Sequence, residues 1–314
     1  MGRAVAERRL RGPLPDGESA LEPVGDTRAV ADPGVDPHSP INRATLAVAE
    51  LLRGYHRHSV RGLSHLRKAL RSGRPVLVVG NHCMDIVDPM LLAAAVFRGI
   101  GRVLRFVAHE RVFFDLPILR TLSRSWGFVP NGRLHQAEAA LRADRLLVVY
   151  PGGVSEALLR SYAEEPYRLK WDGRLGFLAL ALRQRAIVLF VAGIGIDELY
   201  YQMRFPIPAP VLRYSMGNGF RYERARLGLG ALGLHLFPGF APFPVRVTHV
   251  ISPPLALDYE VDPGDREGLV GAQRHLWTQC QAFLDRAVRL RHRDSDALDT
   301  ACRGAFALLQ RAGL

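Results

Sequence analysis

Short runs dominated by apolar residues recur along this 314-residue chain, at Val76–Val79, Leu104–Ala108, Leu146–Tyr150, Ile187–Ala192 and Val245–Val250. Runs of that length, rich in valine, isoleucine and leucine, read as strands sealed on both faces rather than as half-wet strands with alternating polarity. Helical spacing fills the intervals, at Pro89–Phe97, Pro117–Ser125, Leu134–Ala143, Val154–Leu159 and Gly173–Arg183. Buried strands alternating with helices predict an α/β domain, its mostly parallel central sheet covered by helices on both faces. In such folds the chemistry gathers at strand ends.

The rest of the chain is arranged around that domain. With 48% hydrophobic residues, it can bury one large core. Residues 1–40 are expected to form a flexible tail, interrupted by Pro13, Pro15, Pro23, Pro33, Pro37 and Pro40. The main domain is expected over 41–262, and residues 263–314 as C-terminal helices packed on it, at Arg266–Leu290 and Ser295–Ala312. Ile41–Gly54 has helical spacing and either packs on the domain or lies on a lipid surface. A short strand at His58–Gly62 and an amphipathic helix at Leu63–Ser72 lead into the first core strand.

Charge and cysteine content narrow the partners. The net charge of +12 comes almost wholly from arginine, since Lys68 and Lys170 are the only lysines. A positive surface favours anionic head groups or phosphates. No aromatic-rich basic cluster or nucleic-acid motif accompanies it, so a membrane surface is the expected partner and nucleic acid is not. Cys83, Cys280 and Cys302 are too scattered for a disulfide framework or a metal site, and no metal or redox cofactor is expected. The uncharged run Leu227–Val245 approaches spanning length but is broken by glycines and prolines. It reads as a loop that dips into a bilayer or covers a bound chain, and the whole protein as peripheral to the cytoplasmic face of a membrane.

Two strand ends carry the candidate chemistry. The first core strand stops at Gly80 and delivers Asn81 and His82, followed after five residues by Asp88-Pro89. A histidine with a nearby carboxylate is suited to general-base work, the carboxylate fixing the imidazole tautomer. Asp88 before Pro89 is equally a helix N-cap. The second strand end reads Tyr150-Pro151-Gly152-Gly153-Val154-Ser155-Glu156-Ala157. Its glycines either bare backbone N–H groups toward a developing oxyanion or simply make a tight strand-to-helix turn.

Together these stretches resemble the lysophospholipid/glycerolipid acyltransferase superfamily. Its first motif is Asn-His followed by Asp, and its third is a strand running into a Pro-Gly turn. The spacing is most similar to the branch of type-2 diacylglycerol acyltransferase-like and phytyl ester synthase-like enzymes, and the likeness spans roughly Ser59 to Asp258. The resemblance implies a glycerolipid acyltransferase-like fold and transfer of an acyl group from acyl-CoA or an acyl carrier protein to a lipid hydroxyl. It implies His82 as base with Asp88 as its partner, Asp85 being the rival, and substrate contacts from Asn81, Arg133, Gly152, Gly153, Glu156 and Arg174. Glutamate and arginine expected in the phosphate-handling branches are missing around Gly152, which favours a neutral glyceride or long-chain alcohol over a lysophospholipid. The motif Val-Pro-Ile-x-Pro is reduced to Ala186-Ile187-Val188-Leu189-Phe190. Aromatic residues, among them Phe106, Phe113, Trp126, Phe128, Phe177 and Phe190, line an acyl channel or belong to the core.

Two other functions are weighed against transfer. Gly153-Val154-Ser155-Glu156-Ala157 imitates a hydrolase nucleophile elbow, with Ala157 where the last glycine belongs. A non-catalytic lipid-binding protein is the third reading, and the intact Asn81-His82 argues against it.

Overall fold

The structure, a computed structural model, describes residues 35–83, 86–115, 117–157, 166–171, 173–206, 210, 226–235, 241–291 and 296–312. Most of the expected tail therefore lies outside the described residues, as does Asp85. The helices are α1 (Pro40–Tyr55), α2 (Leu63–Arg71), α3 (Val87–Ile100), α4 (Pro117–Ser125), α5 (Leu134–Asp144), α6 (Gly153–Ala157), α7 (Gly176–Arg183), α8 (Arg266–Arg291) and α9 (Ala297–Arg311). The strands are β1 (Ser59–Arg61), β2 (Val76–Gly80), β3 (Val107–Ala108), β4 (Val129–Pro130), β5 (Leu146–Val149), β6 (Ile187–Ile194), β7 (Tyr201–Pro206), β8 (Arg226–Gly230), β9 (Gly233–His235) and β10 (Thr248–Ile251).

The central sheet has five strands in the order β1-β10-β6-β2-β5. Strands β5, β2 and β6 are mutually parallel, β10 runs antiparallel to β6, and β1 runs parallel to β10. The α/β class and the mostly parallel sheet are as the sequence implies. The predicted strand Leu104–Ala108 shortens to β3, which pairs with β4, while Phe106 bridges to Val148 on β5. Strands β7, β8 and β9 make a separate antiparallel sheet. Its hairpin turn is where part of the glycine-rich run sits, with Leu232 and Leu234 exposed.

The period of two along each strand sorts the core into two layers. Leu77, Val79, Leu147, Val149, Val188 and Phe190 point to the face covered by α5, α7 and α8. Val76, Val78, Leu146, Val148, Leu189 and Val191 point to the opposite face, covered by α2 and α3. Both faces are dry, which is why the strands read as continuous apolar runs. The C-terminal helices join this body through charge as well as packing. Arg291 on α8 ion-pairs with Glu198 and donates to the Tyr167 hydroxyl at 3.2 Å, all three groups being buried. Arg57 bonds Asp296 and Asp299 at the start of α9 at 2.9 and 3.1 Å.

Buried histidines make the fold acid-sensitive. His56 Nδ1 meets the Val245 carbonyl at 3.0 Å, so that nitrogen carries the proton. Its other nitrogen is buried without a hydrogen-bond partner among the described residues. Burial lowers its pKa to about 4, against an unfolded value near 6.5. Burial, with His249 beside it, likewise holds His58 well below the ordinary range. Because the folded pKa is depressed, this stabilisation is complete above pH 6.5 and is lost as pH falls toward 4. For His56 it amounts to roughly 3 kcal/mol. Urea midpoints measured from pH 7 to pH 4 should therefore fall, and the fall should be shallower in His56→Gln. An equal pH slope in the two proteins would contradict the assignment.

Candidate active site

Strand β2 ends beside β6, and Asn81 extends that pairing by one side chain. Its Nδ2 donates to the Gly193 carbonyl at 2.9 Å and its Oδ1 accepts from the Gly193 N–H at 2.8 Å. With 1% of its surface exposed, Asn81 is a latch between strand ends, not a wall of the cavity described below. The expectation that it contacts substrate is corrected on that ground. The latch fixes where the chain leaves the sheet, and His82 is the next residue.

His82 is held from both sides. Its backbone N–H donates to Glu156 Oε2 at 2.8 Å, and its ring stacks on Tyr150 with centroids 4.7 Å apart and planes inclined by 10°. The Tyr150 ring in turn needs Gly80: a Cβ there would lie 2.9 Å from Tyr150 Cε1 and 2.8 Å from Val191 Cγ1. The absence of a side chain at the strand end thus admits the aromatic platform under the histidine. Burial, reinforced by the neighbouring Asp88 carboxylate, pushes the Tyr150 phenol well above its ordinary range, so it remains protonated.

Glu156 on α6 is 1% exposed and serves two loops at once. Besides His82, it accepts from the Lys170 N–H at 2.7 Å. Gly152 lacks a side chain because the Glu156 carboxylate occupies the place a Cβ would take. The Gly153 N–H donates to the Tyr150 carbonyl at 3.0 Å and closes the turn. These contacts correct two expectations. Gly152 and Glu156 brace the loop and do not line the cavity, and the Gly153 N–H is engaged within its own turn instead of facing an oxyanion.

Asp88 meets a different histidine from the one expected. Helix α3 begins at Val87 with Ile86 as N-cap and no side-chain cap, so Asp88 lies inside the first turn. Its Oδ1 bonds His249 Nε2 on β10 at 2.7 Å, and His249 Nδ1 bonds His58 Nε2 at 2.8 Å. The pairing of Asp88 with His82 and the capping role are both corrected. The start of α3 at Val87 places Asp88 in its first turn, where the carboxylate faces His249 on β10. The rival, Asp85, lies outside the described residues. His249 carries no signal in the sequence, being one polar residue inside a buried strand far along the chain.

A cavity of 690 Å³ opens beside His82, bounded by α1, α3, α4 and the strand-end loops. His82, Arg133, Gly153 and Arg174 are on its wall, so four of the anticipated site residues come together there. The Arg174 guanidinium lies against Gly153, with Nη1 at 2.6 Å from the place a Cβ would occupy. Arg133 ion-pairs with Glu110, and both are exposed. Most of the remaining wall is aliphatic or aromatic, including Met90, Phe106, Phe113, Trp126, Phe128 and Phe177. Phe190 belongs to the core instead, edge-on to Phe283 at 6.1 Å. Ser155 is buried within α6 and is not on the wall, which removes the geometric basis for a nucleophile elbow.

A histidine presented from one central strand thus stands beside a proline-glycine turn at the end of its neighbour and over a largely apolar cavity. Residues 57–192 match the family model described as Acyltransferase. An uncharacterised protein of Mycobacterium tuberculosis is 33% identical over 172 residues, 53% of this chain and 45% of that protein. Diacylglycerol O-acyltransferase 2B of Umbelopsis ramanniana is 29% identical over 184 residues, 55% of this chain and 50% of that one. The human DGAT1/2-independent enzyme synthesizing storage lipids is 23% identical over 239 residues, 71% of this chain and 63% of that enzyme. The chain thus spans about half the length of the first two relatives.

The bracing role of Glu156 is testable. In Glu156→Gln one of the two backbone donors faces an amide N–H₂ instead of an oxygen, and an unmet buried donor costs about 1–3 kcal/mol. Thermal unfolding should reveal that loss. Gly152→Ala, which drives a methyl into the same carboxylate, should be destabilised as well. Wild-type melting temperatures in both variants would show that the brace is dispensable.

Proposed function

We propose that this protein is an O-acyltransferase, moving a fatty acyl group from an acyl thioester to the hydroxyl of a neutral glyceride or long-chain alcohol. The donor is acyl-CoA or an acylated carrier protein. The observation that carries the reading is the position of His82, fixed through its backbone and stacked ring on the wall of a 690 Å³ largely apolar cavity. His82 takes the proton of the acceptor hydroxyl as its oxygen attacks the thioester carbonyl. The new C–O bond forms, the C–S bond breaks, and the leaving thiolate takes the proton from the imidazolium. The thioester is already activated, so no covalent enzyme intermediate is needed, and general-base catalysis contributes roughly 10²–10⁴ in rate. The names of the fungal and human relatives, a diacylglycerol O-acyltransferase and an enzyme synthesizing storage lipids, favour a neutral lipid acceptor. A lysophospholipid is the second reading, favoured by Arg133 and Arg174 on the same wall.

The protein works, in this proposal, at the cytoplasmic face of a membrane as a peripheral enzyme. Among the described residues no helix is long and apolar enough to cross a membrane. Ile41, Val48, Leu51 and Tyr55 are exposed on α1 at spacings that put them on one side, and Ile118 is exposed on α4, which packs against α1. Such a patch on an arginine-rich chain suits an anionic lipid surface. Leu51→Asp should sediment less with anionic vesicles, and undiminished sedimentation would place the docking face elsewhere.

Thiol release from a long-chain acyl-CoA, followed with and without diacylglycerol, fatty alcohol and lysophospholipid, tests the reaction and chooses the acceptor. Release should be stimulated by one acceptor class, fall at least a hundredfold in His82→Ala, and survive in Ser155→Ala. Release without acceptor that vanishes in Ser155→Ala would establish a hydrolase instead.

A further inference from the structure

Two polar groups in the greasy wall of the cavity stand without hydrogen-bond partners. Ser123 and Trp126 line it at 1% and 6% exposure, and neither Ser123 Oγ nor Trp126 Nε1 finds a partner among the described residues. The two are three positions apart. The Trp126 N–H still bonds the Leu122 carbonyl at 3.0 Å, so helical geometry continues from α4 and sets both on one side. A serine inside a helix commonly returns its hydroxyl to the carbonyl one turn back, as Thr121 does to Pro117 at 2.9 Å. Ser123 does not. Buried polar groups are nearly always satisfied, and a pair left open on a cavity wall marks a place for a polar atom of whatever fills the cavity.

This place is set back from His82. The rings of His82, Tyr150, Phe106 and Phe128 follow one another at 4.7, 6.1 and 5.5 Å, and Trp126 precedes Phe128 by two residues. A simple alkyl chain passing this point would leave the indole N–H and the hydroxyl unmet. A chain with an oxygen there would satisfy both.

We propose that Ser123 and Trp126 form a polar station that binds an oxygen carried on the lipid at a distance from the reacting carbonyl. The proposal rests on the reading of the cavity as a lipid site and makes that reading more specific. The oxygen is a hydroxyl or keto group on the acyl chain, or the ester carbonyl of an already acylated acceptor. Trp126 donates to it, while Ser123 donates to a carbonyl or accepts from a hydroxyl.

Calorimetric binding tests the station without requiring turnover, so a failure of catalysis and a failure of this inference are separable. The first arm compares palmitic acid with a series of its positional hydroxy isomers. The second compares dipalmitoylglycerol with its dialkyl ether analogue, which lacks the carbonyls. Each is run on wild type, Ser123→Ala and Trp126→Phe, with circular dichroism to verify folding. In one arm the oxygenated ligand should bind wild type roughly tenfold more tightly, from two neutral hydrogen bonds, and each substitution should cut that advantage several-fold. The responding arm names the source of the oxygen. Ser123→Ala removes a single unpartnered oxygen from a buried site, so it keeps the test informative if Trp126→Phe misfolds. Equal or tighter binding of the plain chain and the ether, or an advantage that survives Ser123→Ala, would overturn the proposal.

Discussion

The site depends on one buried carboxylate. Taking Glu156 out of water is costly, and the cost is met by charge-assisted hydrogen bonds from two backbone donors that belong to different loops. One donor is the N–H of His82 itself. The other, at Lys170, belongs to a segment secured by Gln281 on α8, which bonds the neighbouring Leu169 N–H at 2.9 Å. A single side chain thereby couples the strand end that carries the histidine to the helical layer behind the sheet. Gly152 is part of the same constraint, because the carboxylate fills the space its side chain would need. His82 is left with little backbone freedom, which suits the role of base proposed for it, since such a group must meet its substrate in one geometry.

A second polar system holds the opposite edge of the site. Asp88, His249 and His58 form a buried row across α3, β10 and the residue before β1, at 2.7 and 2.8 Å. Burial keeps His58 neutral at the end of the row away from the carboxylate. The negative charge also sits in the first turn of α3, where the helix dipole favours it. The row thus secures the antiparallel strand β10 to the helix that forms one wall of the cavity. Arg291, Glu198 and Tyr167 perform the corresponding task for α8.

Much of the fold was legible because the three parallel strands of the central sheet, β2, β5 and β6, are dry on both faces. Such strands betray themselves as apolar runs, and β2, β5 and β6 fall where the runs predict. The antiparallel direction of β10 was not legible, since direction follows from the connection and leaves no mark on the strand. The hairpin formed by β8 and β9 read only as a greasy loop, for glycines give no alternation. At the site, the local motifs Asn81-His82 and Pro151-Gly152-Gly153 were visible, but the partners of their side chains were not. Asp88 looked like the companion of His82 from six residues away, whereas its companion, His249, is 161 positions distant. Local spacing carries information about turns and very little about contacts closed by the sheet. The bracing role of Glu156 was among the readings weighed, and the structure favours it because both carboxylate oxygens are spoken for.

The central claim is that the wall beside His82 is where the thioester reacts, with the lipid chain in the cavity bounded by α1, α3 and α4. A crystal structure with a non-hydrolysable thioether analogue of a long-chain acyl-CoA tests it most directly. The account predicts the alkyl chain among Met90, Phe106 and Phe128 and the sulfur-bearing end within reach of the His82 ring. A chain bound outside this cavity, or a reactive end seated against Ser155 instead of His82, would contradict it.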